Sequence, residues 1–405
     1  MISNLRQALV APHALSVTLA AAGILMVTMG TRQSLGLFVT PINSASEVGI
    51  VAISLALAIG QFTWGLAQPV AGFLSDRFGP SWVLVGGLLL LALGSMLAPL
   101  LLTGAGLIIS LGLLIAIGSG IGGFSVLMSA AAQRVPPASR GPASGIINAG
   151  GSLGQFVGAP LFQTLIQAIG WVGSLWTMAL VSLSALPLIR KLTSAAVIES
   201  SPSQAHEGRK VVQTVVRALG NPNFILLNLG FFTCGFHIAF LVTHLPGDVS
   251  LCGLPASVAS GALAIIGLSN IFGSLYAGHC VALYRSKYIL SAMYASRVLL
   301  ILAYLLMPKN EWTYYLFAAG LGFTWLATVP PTAAIVGKLF GLRFLATLFG
   351  ISMLCHQIGA FFGAYLGGVA LAEFGNLDSM WIADMVLAAF AALINLPIRE
   401  PQQDR

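Results

Sequence analysis

The chain has 405 residues, 57% of them hydrophobic and 7% charged, with a formal net charge of +7 and a mean hydropathy of +0.94. That apolar share excludes a water-soluble globular protein, so lipid is the solvent. Lipid offers the backbone no hydrogen bonds, which leaves helices or a closed barrel, and apolar runs of about 20 residues exclude strands that alternate over about 10. Cys234, Cys252, Cys280 and Cys355 show no metal or redox spacing. They read as small core residues. No nucleophile–base set, ligand cluster or phosphate loop stands in the sequence, so no enzyme activity, cofactor or metal is expected.

Taken in order, the apolar runs predict twelve spans: 13–40, 48–74, 81–102, 104–133, 140–169, 171–190, 221–247, 254–284, 287–307, 312–338, 342–372 and 377–397. One basic residue, Arg6, precedes the first run, and no cleavage site follows it, so span one is read as uncleaved. Residues 192–220 are the long polar stretch, with Ser201-Pro202-Ser203-Gln204 inside it. They read as a cytoplasmic linker between an N-terminal half (1–191) and a C-terminal half (221–405). With both termini in the cytoplasm, 15 of the 18 Lys and Arg residues fall inside, Lys309 falls outside, and Arg32 and Arg297 fall within spans. This bias sets the orientation and accounts for the net charge without nucleic acid. The absence of an Asn-x-Ser/Thr acceptor and the short loops fit a bacterial inner membrane.

Spans two and three are joined by Gly72-Phe73-Leu74-Ser75-Asp76-Arg77-Phe78-Gly79-Pro80. Gly72 and Gly79 supply backbone freedom, Asp76 can accept bonds at a helix end, and Arg77 suits helix carbonyls or phosphates. This Gly-x-x-x-Asp-Arg-x-Gly turn resembles the loop signature of the major facilitator superfamily of secondary transporters, with Pro80 where that family often has a basic residue. The resemblance implies a fold of twelve helices in two pseudo-symmetric halves, and a latch made of Gly72, Asp76, Arg77 and Gly79.

The halves repeat at an offset of 205. Arg32 lies nine residues before Pro41, and His237 nine before Pro246. Gly154-Gln-Phe-Val-Gly158-Ala-Pro-Leu161 recurs as Gly359-Ala-Phe-Phe-Gly363-Ala-Tyr-Leu366. The glycine pairs let helices approach closely. A copy of the Asp-Arg turn runs from Gly278-His279 to Arg285 and Lys287 and lacks the acid. Two parallel repeats imply a site near midplane.

A buried Arg costs at least about 2.5–3.5 kcal/mol on insertion scales, so an intramembrane charge marks function by default. Arg32 sits in Gly30-Thr31-Arg32-Gln33-Ser34-Leu35-Gly36-Leu37-Phe38. It is either a substrate contact or a side chain reaching the outer surface. The stretch resembles span one of the monocarboxylate transporter and oxalate–formate antiporter branch, which implies that Arg32 meets a carboxylate with Ser34 and Phe38 nearby. The Asp and Arg that branch carries on span eight are replaced here by Asn270 and Ser274. Arg297 in span nine is either a second substrate contact or a tie to helix carbonyls. His237 and His244 share a face of span seven, and His356 lies midway along span eleven; each is either a satisfied core histidine or a proton carrier. Gln61, Gln68, Asn148, Gln155, Asn228, Thr324 and Trp325 complete a polar lining. Asp384 is expected to reach the surface at the outer end of span twelve.

The expected substrate-binding set is Arg32, Ser34, Phe38, Gln61, Gln155, His237, Asn270, Arg297, Trp325 and His356, with His237, His244 and His356 as candidates for proton coupling. The surplus of buried cations points to a small organic anion, moved by symport or antiport by a monomer that meets only lipid, substrate and a coupling proton. The alternatives are a proton-driven exporter of apolar drugs, of whose Gly-Pro motif Gly158-Ala159-Pro160 is a fragment, and a membrane sensor that transports nothing.

Overall fold

The computed structural model describes residues 12–132, 134–135, 140–192, 213–341 and 345–401. Ten helical stretches are long and apolar enough to cross a membrane. Ala143–Leu192 is 50 residues long, enough for two crossings. Gly170 divides it with φ 75° and ψ 167°, a conformation that side chains exclude. Asp378–Ile394, at 17 residues, is a further apolar helix. The described helices therefore make the twelve spans that the sequence predicts.

Span ten departs from expectation. The sequence predicts one helix over 312–338, but the chain forms Glu311–Thr324, unwinds, and restarts as Val329–Phe340. Pro330 and Pro331 cannot donate backbone bonds to the preceding turn, so they open the second segment instead of continuing the first. Span one also changes course. After Pro12–Gln33 it tightens over Leu35–Phe38 and resumes as Val39–Ala45.

The contacts divide the chain into two compact units, Met1–Ala196 with Val242–Leu268, and Val197–Leu241 with Ser269–Arg405. In the first, Val17, Ile24, Leu84, Leu88, Leu127 and Ile147 are buried together. Spans one and five cross where a side chain on Gly154 would strike the Met26 carbonyl and one on Gly158 would strike Gly30. In the second unit the same arrangement appears between spans seven and eleven, with Gly359 on the Phe232 carbonyl and Gly363 on the Phe236 carbonyl. The glycine pairs spaced 205 residues apart thus do the same packing job.

Span two runs to Phe78 and ends at Gly79, whose φ of +83° is a glycine conformation, and Pro80 begins span three. Arg77 is exposed, its guanidinium 5.3 Å from the Phe78 ring centre. The Asp76 side chain and residues 193–212 of the linker lie outside the described residues. In the second unit Glu400, just past span twelve, is almost fully buried. It accepts from the backbone N–H groups of Ser286 at 3.3 Å and Lys287 at 2.5 Å, at the start of span nine. It also pairs with Lys338 at 2.9 Å.

Candidate functional site

In the first unit Arg32 projects into a pocket of about 360 Å³, mouth included, lined by Leu35, Leu57, Gln61, Ile115, Ser119 and Thr243 among others. Gly36, also in the lining, lets the backbone at Val242 approach. The Val242 carbonyl lies so close that no side chain fits at that position. Arg32 is half-buried. Its guanidinium lies 4.1 Å from the Trp64 ring centre, and Nη2 donates to Gln61 Oε1. A guanidinium has five donors. Gln61 is its hydrogen-bond partner among the described residues, so donors remain for a ligand that can fill them. Trp64 holds the cation flat by its π face while leaving the donor edges available.

The other residues expected near Arg32 behave differently. The Ser34 hydroxyl donates to its own helix, at the Gly30 carbonyl 2.7 Å away. Phe38 is 1% exposed and packs in the core. Gln155 is buried on span five beside Gly267, with no hydrogen bond to Nε2 among the described residues. His244 is buried in this same unit.

The second unit gathers Arg297, Asn270, Trp325, His237 and Cys234 around the break in span ten. Arg297 is 0% exposed. Its Nη2 donates to the carbonyls of Thr324 at 2.6 Å and Trp325 at 3.1 Å, its Nε to Thr324 Oγ1 at 3.4 Å, and its Nη1 to Cys234 Sγ at 3.4 Å. From the other side, Asn270 Oδ1 accepts from the Leu326 N–H at 3.0 Å. Unwound backbone at membrane depth must find partners in protein, and these two side chains supply them. His356 stacks 4.8 Å from Phe231 and meets Gln357 at 3.2 Å.

Asp384 corrects the reading made from the sequence. It is 0% exposed and pairs with His237 Nδ1 through Oδ2. Three residues earlier on the same helix, Trp381 packs on Phe240 at 4.9 Å, Tyr304 at 4.6 Å and Phe317 at 5.5 Å. The short Asp side chain cannot extend past this aromatic layer. Sequence reasoning also missed Trp64, Ser119, Thr243 and Glu400. Trp64 follows Gln61 by three residues, which places both on one helix face. For Glu400 the signal was the acid missing from the second-half turn.

Comparison with known proteins adds four findings. Residues 15–364 match the family model of the Major Facilitator Superfamily. The chain is 26% identical over 382 residues to monocarboxylate transporter 13 of Rattus norvegicus, covering 92% of this chain and 86% of the relative. It is 24% identical over 393 residues to the oxalate:formate antiporter of Oxalobacter formigenes, covering 92% and 87%. The crystal structure of a D-xylose-proton symporter superposes with a TM-score of 0.73 at 14% identity, covering 95% of this chain and 97% of the other. That likeness concerns the fold.

Proposed function

The chain belongs to the major facilitator superfamily, and from that premise we propose that it is a secondary transporter for a small organic monoanion, working by alternating access across a bacterial inner membrane with both termini cytoplasmic. The observation that carries this reading is Arg32, seated on Trp64 in a pocket whose lining holds no acidic side chain, with guanidinium donors to spare. A carboxylate would take those donors as a bidentate partner, in surroundings that strengthen the attraction. Gln61 would fix the guanidinium plane, and Leu35, Leu57 and Ile115 would meet a short apolar tail. Arg32 is the one cation in the lining. A second carboxylate would be desolvated there without a partner, which favours monoanions. The two relatives, named for monocarboxylate and for oxalate and formate, support a small carboxylate as the chemical class, and the single cation is what favours a monoanion here.

Arg297 takes a different role in this reading. Its donors serve the span-ten break, so it holds the second unit's helix and does not meet substrate. Asp76 with Gly72, Arg77 and Gly79 would act as the cytoplasmic latch that is made and broken during transport.

The test is thermal unfolding of purified protein against a panel of short mono- and dicarboxylates, followed by counterflow in proteoliposomes. A ligand of the native state raises apparent stability by mass action. Stabilisation and counterflow by monocarboxylates, both lost in Arg32→Gln, would support the reading. Resistance to apolar drugs in an overexpressing strain, with no carboxylate response, would assign an exporter instead. Ligand stabilisation with no counterflow would assign a sensor.

A further inference from the structure

We propose that Asp384 and His237 form a single proton-carrying site in the second unit, with Asp384 as the group whose charge the proton cancels. The proposal rests on the transporter reading, but not on the substrate being an anion. Both side chains are essentially without solvent exposure, at 0% and 1%. They are joined through one oxygen and one nitrogen. The outer atom of each, Asp384 Oδ1 and His237 Nε2, has no hydrogen-bond partner among the described residues. A purely structural pair at this depth would satisfy both ends, because an unpaired buried polar atom costs about 1–3 kcal/mol. A half-satisfied pair is instead ready to change its proton count.

The surrounding charges make both states tenable. Span nine contributes Arg297 and Tyr294, span seven itself contributes Cys234, and span eleven contributes His356 beside Cys234. Tyr304 and Tyr314 stand in the aromatic layer. Without the extra proton, neutral His237 and anionic Asp384 carry −1, balanced by Arg297, which lies within Coulombic reach of Asp384. With it, imidazolium and carboxylate cancel each other. Arg297 then keeps its neutral partners, the Thr324 and Trp325 carbonyls. No state leaves a lone buried charge without bonds, which is the costly case.

The geometry also gives proton loading a consequence. The Phe240–Trp381 stack covers the pair on one side. On another side the His237 ring lies 6.3 Å from Trp325, in the unwound part of span ten. Loading the pair makes it neutral as a whole and weakens its pull on Arg297, the residue that ties down that break. Proton occupancy is thereby linked to the hold on a discontinuous helix, an element suited to two arrangements.

The experiment uses full-length protein. In proteoliposomes, pyruvate accumulation driven by a pH gradient is compared with pyruvate counterflow at equal pH. In the absence of pyruvate, infrared difference spectra between about pH 5 and pH 8, where an ordinary imidazole titrates, report on the groups directly. Asp384→Asn is expected to lower the ratio of gradient-driven accumulation to counterflow at least tenfold, and to remove from the difference spectrum the carboxylate band that shifts when the neighbouring imidazole takes up its proton. His237→Gln is expected to remove the matching imidazole band. If a single variant fails to fold, the double variant His237→Gln/Asp384→Asn keeps an isosteric neutral hydrogen bond without the unpaired charge. Unchanged gradient-driven accumulation in Asp384→Asn or in the double variant would overturn the proposal. So would a wild-type spectrum without Asp384 or His237 bands. If wild type does not take up pyruvate at all, the organic-anion reading fails, and the substrate-free spectra still decide the pair.

Discussion

Arg32 and Arg297 are the same residue type at membrane depth, and their surroundings give them opposite tasks. Arg297 is fully buried, with its donors on Thr324, Trp325 and Cys234. Arg32 is half-buried with Gln61 as its partner and Trp64 beneath it. Removing the Arg32 charge should cost about 3 kcal/mol of carboxylate binding, roughly a 100-fold loss, because a charge-assisted bond in a confined site is lost. Arg32→Lys keeps the charge and loses the fork, so a loss of roughly tenfold is expected. Trp64→Leu should cost about 1 kcal/mol, roughly fivefold, through the cation–π contact. Calorimetric titration of the three variants with one monocarboxylate checks the order Gln, Lys, Leu, from weakest binder to strongest. Equal affinity for wild type and Arg32→Gln would remove the anchor. Composition made both arginines visible as intramembrane charges. It could not separate them, since what distinguishes them is the number of acceptors each finds in three dimensions. Asp384 was misjudged for the same reason: its distance from the helix end is legible in the sequence, while the Phe240–Trp381 layer above it is not.

At the scale of elements, hydropathy located the spans, and it failed where a helix is interrupted without becoming polar. Thr324-Trp325-Leu326-Ala327-Thr328 is apolar enough to read as continuous helix, so the break was signalled only by Pro330-Pro331. Positions where helices meet were better marked, because glycines at matched spacing in both halves leave a trace in one dimension. Gly154→Leu or Gly359→Leu should therefore collapse yield, since each places a side chain against a backbone carbonyl across the crossing and overpacking costs about 1–3 kcal/mol even where neighbours can shift. Gly86 in span three, with open space around it, is the control. The second-half turn that lacks an acid finds one in Glu400, which caps the start of span nine and pairs with Lys338. Glu400→Gln keeps part of the cap and loses the ion pair. Apparent stability in detergent should fall by about 1–3 kcal/mol, read as a lowered thermal midpoint, with Lys338→Met lowering it in parallel and the double variant adding little.

The whole molecule makes its firmest demand on topology, because the distribution of Lys and Arg favours one orientation over the other. Fifteen of eighteen basic residues lie on one side if the N-terminus is inside and twelve spans follow, and changing the number of spans in the first half would scatter them. The break at Gly170 matters here: without it, Ala143–Leu192 would cross once and every later loop would change sides. Introduced cysteines can test this, provided that native Cys252 is first replaced. It is exposed at the C-terminal end of span seven, which the proposed orientation puts outside, so it should itself react with an impermeant thiol reagent in intact cells. In a Cys252→Ser background, a cysteine at Asn310, which caps the first segment of span ten, should label from outside, and one at Ser203 should label only after the cells are opened. The reverse pattern would invert the orientation. Labelling of both from outside would require an even number of crossings between residues 203 and 310, where the twelve-span topology has three, and would overturn that topology. Since Arg32, His237 and Asp384 are argued from contacts inside their own units, a reversed orientation would leave those contacts standing and exchange the sides of the membrane that the two sites serve.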